Sequence, residues 1–143
     1  RMDSLDLLDV VKYVEELISR FRPDVILTHH PNCLNIDHRI VNQAVCTASR
    51  PQSSCSVKSV LFFEVPSSTE WQMNSLGTFA PTWFEDITDY MTKKMMALEA
   101  YSLEMRDWPH PRSVNALEPQ LRLRGAECGA EAAEVFEVLK MVC

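Results

Sequence analysis

Glycine is scarce in this chain, three residues in 143. No glycine-rich loop follows either of its strand-like apolar runs. A phosphate cradle of the dinucleotide or P-loop kind needs glycines to bring backbone N–H groups onto the ligand, so a nucleotide-binding half-domain has no anchor here. Basic residues are outnumbered, 14 Lys and Arg against 20 Asp and Glu, for a formal charge of −6. With no basic cluster, neither nucleic acid nor an anionic membrane surface is expected as a partner. Apolar runs are short, none nearing the roughly 20 residues of a membrane-spanning helix, and the first residues show no signal-peptide pattern. The five cysteines at 33, 46, 55, 128 and 143 are odd in number and lack C-x-x-C spacing. That pattern points to free thiols in a reducing, cytoplasmic compartment rather than to a disulfide framework.

What is present has the composition of an ordinary globular protein, 46% apolar and 24% charged, and the length of one domain. Residues 4–21 read as an amphipathic helix with Leu8, Val11, Val14, Ile18 and Phe21 on one face, closed by Pro23. Val25, Ile26 and Leu27 form an apolar run too short for a helix and typed as a buried strand. A second helix is expected over residues 38–49, with Asp37 as its N-cap. A second strand is expected over 57–65. Strand, helix, strand with a crossover of this length predicts a βαβ unit with parallel strands, hence an α/β class. Residues 66–83 read as a surface loop. A long helix is expected over 87–106, then a Pro-rich break, then a short or kinked helix after Ser113 that contains Pro119. A last helix is expected over 130–141, with Val135, Phe136 and Leu139 inward.

Chemistry concentrates at the end of the first strand. In open α/β sheets ligands bind beyond the carboxyl ends of the strands. Three of the four histidines, His29, His30 and His38, fall there with Pro31, Asn32, Cys33, Asn35 and Asp37. A catalytic zinc needs three protein ligands and an open position, and this spacing alone does not supply them. Histidine at a loop or helix start more often serves as an ordinary hydrogen-bonding surface residue, and Cys33, although thiolate is a good zinc ligand, stands alone at irregular spacing from the histidines, which is a weak ligand signal.

The segment 23–41, PDVILTHHPNCLNIDHRIV, resembles the second motif of the LmbE-like (PIG-L) N-acetylglucosaminyl deacetylases. FEVPSSTEW at 63–71, WPHPRS at 108–113, RGAE at 124–127 and AEVF at 133–136 extend the resemblance over most of the chain. It implies a Rossmann-like three-layer α/β sandwich, present here as a truncated part with one βαβ unit and C-terminal helices. It also implies zinc-dependent hydrolysis of an N-acetyl group on a glucosamine-type sugar or conjugate. By the same resemblance His38 is a zinc ligand, and Asp37 orients its ring and loop. Asn35 stands where many members have a histidine acting as acid or oxyanion stabiliser. It can donate a hydrogen bond but cannot deliver a proton at neutral pH, a function that His30 or His110 could take over. His110 and Arg112, between prolines, would reach sugar hydroxyls or an acid group of the substrate; as an alternative they form a surface turn with a salt bridge.

Members of this family carry two further zinc ligands and the general base in a front motif, His-Pro-Asp-Asp-Glu, and no His-Pro-Asp occurs in this sequence. The chain is therefore expected to correspond to the rear part of a longer protein, to bind zinc weakly, and to lack deacetylase activity by itself. The alternative is a non-catalytic relative that serves in assembly. Without a preceding strand, residues 24–28 are expected to form an uncovered sheet edge, which favours self-association.

Overall fold

In a computed structural model, the structure describes residues 1–72 and 77–142. The elements are α1 (Leu7–Phe21), β1 (Val25–His29), α2 (Ile36–Ala48), β2 (Ser59–Phe63), β3 (Trp83–Asp86), α3 (Met91–Glu99), α4 (Val114–Cys128) and β4 (Ala133–Met141), with short 3-10 turns at Met2–Ser4 and Thr88–Tyr90. The strands form a mixed four-stranded sheet in the order β1-β2-β4-β3, so the class is α/β. The chain divides into two compact units, one of residues 1–80 with 137–143, the other of residues 81–136.

The first unit is built on the βαβ element. β1 and β2 pair in parallel from Val25 opposite Ser59 to His29 opposite Phe63, as the sequence spacing predicts. Alternation along a strand sends successive side chains to opposite faces. Ile26, Val60 and Phe62 therefore share one face, and they pack with Ile18 of α1 and Val41 and Val45 of α2 into the main cluster. Val10, Val11 and Ala44 extend the same packing between the two helices. The buried stripe of α1 is Val10, Val11 and Ile18; Leu8 and Phe21, expected inward, are 61% and 66% exposed. α1 stops because Arg22 turns left-handed, its N–H donating to the Ile18 carbonyl, and Pro23 cannot continue a helix. The Lys140 ammonium donates to the carbonyls of Ser49, just past α2, and Val57. A cation at the negative end of a helix is favourable, and here it ties the end of β4 to the α2–β2 connection.

Further expectations change. The last segment is the strand β4 and not a helix: its first half pairs antiparallel with β3, Trp83 opposite Phe136 through Asp86 opposite Ala133. Its apolar residues suit either period, and pairing with β3 decides in favour of a strand. The long helix expected over 87–106 is shorter, α3 spanning nine residues with none buried; a 3-10 turn at Thr88–Tyr90 takes its beginning, and before it stands β3, which the Trp-Phe-Glu-Asp sequence did not announce. The N-cap of α2 is Asn35, whose side chain accepts from the Asp37 N–H. The helix thus begins two residues before His38, and Asp37 is a first-turn residue.

In the second unit α4 runs on through Pro119 for 15 residues, neither short nor ended there. Pro119 and Asn115, whose carbonyl loses its N–H partner, are both exposed, so solvent can satisfy the freed group. Ser113 caps α4 by accepting from the Ala116 N–H, and Gly129 ends it in the left-handed region at φ 86°. In the last turn of α4, Gly125 lies so close to the chain beyond the helix that a Cβ there would stand 2.6 Å from the Ala132 backbone. Gly125→Ala is expected to destabilise by about 1–3 kcal/mol, reversing the roughly 1 kcal/mol gain that alanine normally brings to a helix interior. Denaturant unfolding of the variant checks the sign.

Candidate functional site

Alternation at the end of β1 decides which histidine goes where. Thr28 and His30 follow Ile26 onto the helix-covered face, and both are buried, at 2% and 3% exposure. His29 goes to the opposite face with Val25 and Leu27.

His30 is fixed on both ring nitrogens. Its Nδ1 accepts from the Asn32 N–H at 3.2 Å, which leaves the proton on Nε2, 3.5 Å from Glu137 Oε2. The same carboxylate oxygen accepts from the Ala80 N–H at 2.9 Å, and Phe62 and Phe79 present edge-to-face contacts to the ring. Burial lowers the His30 pKa against the opposing pull of Glu137 and Gln72. His30 thus joins β1, β4 and the segment before residue 80, with neither nitrogen turned to solvent.

The loop after β1 is held by its own backbone. The Cys33 N–H donates to the His30 carbonyl at 3.1 Å, and the Leu34 N–H to the Ser68 carbonyl. Arg39 Nη1 donates to the carbonyls of Cys33 and Leu34 at 2.8 and 2.7 Å. Asn42, buried in α2, donates to the His29 carbonyl at 2.7 Å, so the end of β1 is clamped to the helix. Asp37 Oδ1 accepts from the N–H groups of Met2 and Asp3 at 2.8 and 3.2 Å. Its carboxylate therefore anchors the N-terminal segment.

His38 stands in the first turn of α2, facing the end of β1. Its Nδ1 lies 3.1 Å from Cys33 Sγ, and Cys33 is fully buried. The His38 ring stacks on His29 at a centroid distance of 3.9 Å and an interplanar angle of 16°. Phe63, the β2 partner of His29, meets the His29 ring at 4.9 Å. His29 Nδ1 is buried without a hydrogen-bond partner. Burial and then the neighbouring His38 push the His29 pKa down to about 4, and burial lowers that of His38 against the pull of Asp37. The sequence places His29 at the strand end but gives it no role. The period-2 pattern carried the signal, because once Ile26 and Thr28 face the core, His29 must face away from it.

His110 and Arg112 belong to the second unit. The Arg112 N–H donates to His110 Nδ1 at 3.0 Å, and the Ser113 N–H to the His110 carbonyl. Arg112 Nη1 forms an ion pair with Glu104 at 2.6 Å, the turn with a salt bridge that was the alternative reading of this loop. Among the described residues, no group of three or more His, Cys, Asp or Glu side chains is placed to hold a metal ion. The stacked rings of His29 and His38 present their in-plane lone pairs side by side rather than converging.

Histidines whose pKa is lowered by folding bind fewer protons than in the unfolded chain, so stability rises with pH where the two states differ. The His29 contribution is complete above the ordinary value of 6.5 and is lost as pH falls toward 4. Acidification across that window is expected to destabilise the chain by on the order of 2–3 kcal/mol. His29→Phe, which keeps a ring in the stack, is expected to flatten that part of the pH–stability profile. An unchanged profile in chemical denaturation would remove His29 as its source.

No protein-family model matches the chain, and no curated protein sequence does. Among solved structures, the conserved protein TT1542 from Thermus thermophilus is similar with a TM-score of 0.73 and 19% identity, over 94% of this chain and 60% of that one. The N,N'-diacetylchitobiose deacetylase from Pyrococcus horikoshii, solved with an inhibitor, gives 0.70 and 18%, over 96% and 54%. GalB, the 4-carboxy-2-hydroxymuconate hydratase of Pseudomonas putida, gives 0.68 and 19%, over 97% and 61%. The chain thus spans between half and three-fifths of the length of these proteins, and what it shares with the deacetylase and the hydratase is their fold.

Proposed function

We propose that this chain is the rear part of a zinc-dependent N-deacetylase of the LmbE-like kind, acting on an N-acetylated glucosamine-type sugar or conjugate. The observation that supports it is the position of His38. On a fold shared with a diacetylchitobiose deacetylase, its ring is held by Cys33 and His29 at the carboxyl end of β1, where α/β proteins of this class place their ligands. A hydratase shares that fold too. The choice between the two chemistries rests on the Asp37-His38 motif and the segments that resemble the deacetylases.

In this reading His38 is one ligand of a zinc site completed by residues outside this sequence. Asn35 uses its side-chain oxygen on the Asp37 N–H, which leaves the amide N–H groups of an exposed side chain to donate to the acetyl carbonyl. Preorganised donors of that kind stabilise the oxyanion that forms on hydrolysis. His110 and Arg112 are the proposed contacts to the substrate, and His30 supports the loop from within.

The test joins this chain to a segment carrying the His-Pro-Asp-Asp-Glu motif and follows acetate release from N-acetylglucosamine conjugates. Turnover is expected to be zinc-dependent, to vanish in His38→Ala, and to fall by ~10²–10³-fold in kcat for Asn35→Ala. The chain as it stands is expected to release none. Full turnover with His38→Ala would show that His38 is no ligand.

A second reading, a non-catalytic relative acting in assembly, is favoured by one observation. β1 is an outer strand of the sheet, and Val25 and Leu27 on its outward face are each 51% exposed. An exposed apolar edge is a template for pairing with another chain. Light scattering at low micromolar concentration is expected to show concentration-dependent association, and Val25→Lys with Leu27→Lys to abolish it. A monodisperse wild-type monomer would dispose of this reading.

A further inference from the structure

We propose that Cys33 is a positioning residue for His38: its sulfur takes the Nδ1–H of the ring, so that Nε2 alone, with its lone pair, is presented to whatever binds at the end of β1. The inference deepens the reading of His38 as a site residue and rests on it.

The sulfur is a fixed point. Cys33 is fully buried, its N–H is bonded to the His30 carbonyl, and its carbonyl is held by Arg39. The backbone that carries Sγ is thus held on both sides, and the enclosed sulfur lies 3.1 Å from His38 Nδ1. Nor can it reach a substrate from a fully buried position, which argues against a cysteine–histidine nucleophile despite the close pairing of thiol and imidazole. The ring is also held by its face. His29 stacks on it nearly parallel at 3.9 Å, and Phe63 contacts His29 in turn. A half-turn of the ring would replace Nδ1 by a carbon against the sulfur and lose the hydrogen bond.

One contact holds the Nδ1 edge and one stack holds the plane, so two constraints define the orientation of a single nitrogen. The proton on the nitrogen turned away from a ligand sets both the tautomer and the direction of the other lone pair. In most proteins a carboxylate or carbonyl oxygen accepts that proton. Here a sulfur occupies the position, and a thiol is only a weak acceptor, so the hold is expected to be weaker than an oxygen would give.

Nitrogen NMR of the chain as it exists tests this without metal or activity. The wild-type His38 ring is expected to show one tautomer, pyrrole-type at Nδ1 and pyridine-type at Nε2. In Cys33→Ala the two resonances are expected to move toward each other as the tautomers interchange. Cys33→Ser, which restores an acceptor, is expected to return the wild-type pattern. The reverse wild-type pattern, with the proton on Nε2, would overturn the proposal, since the thiol would then be the donor. A His38 spectrum unchanged in Cys33→Ala would overturn it as well. A sulfur-to-cobalt absorption band on adding cobalt(II) to the wild type, lost in Cys33→Ser, would instead make Cys33 a ligand. If Cys33→Ala does not fold, the wild-type tautomer and Cys33→Ser decide the question. The spectrum is read without turnover, so a locked tautomer here, with no acetate released by the chain joined to its front segment, would sink the proposed reaction and leave the role of Cys33 standing.

Discussion

The parallel pairing of β1 with β2 is the constraint on which the site depends. It fixes which of two adjacent histidines enters the core and which does not. A shift of one residue in a strand exchanges its faces, and here it would bring His29 under the helices and expel His30. The register is held by packing, because Ile26, Val60 and Phe62 must all meet α1 and α2. It is held again at the strand end, where Asn42 grips the His29 carbonyl. The two histidines therefore have separate tasks. His30 is spent on joining β1 to β4 through Glu137, and His29 makes the platform on which His38 lies.

Around that platform the loop is rigid for reasons of backbone accounting. Buried N–H and C=O groups need partners, and in this loop the N–H groups of Asn32, Cys33 and Leu34 and the carbonyls of His30, Cys33, Leu34 and Asn35 have them, from the loop itself, from Ser68 or from Arg39. A short helix start with its first N–H groups capped gives His38 a stable base, while the side chain reaches back over the strand end. The arrangement has the order expected of a site assembled before its ligand arrives. What it shows is an imidazole set against a buried thiol and stacked on a second histidine ring.

Much of the fold was legible in the sequence, and the failures share one cause. The Val25-Ile26-Leu27 run between a proline-terminated helix and a histidine loop could hardly be other than a strand, because its flanks stop any helix. The amphipathic stretch after Asn35 had to follow as a helix, and the Val60–Phe63 run as its parallel partner. By contrast, Ala133–Met141 contains apolar residues at both helical and strand spacing, and Trp83–Asp86 is too brief to declare itself. Each becomes a strand chiefly because the other is there to pair with.

The candidate site divides along the same line. The sequence by itself determined that histidines, an Asx cap and a thiol would gather at the carboxyl end of the first strand, since strand, loop and helix start are local and their order along the chain brings them together. Only the tertiary structure decided that Asn35 and not Asp37 caps the helix, that Cys33 meets His38, and that His29 rather than His30 shares the site. Those outcomes turn on a strand's face and register, which are set by packing against helices far away in the chain and not by any property of the histidines themselves.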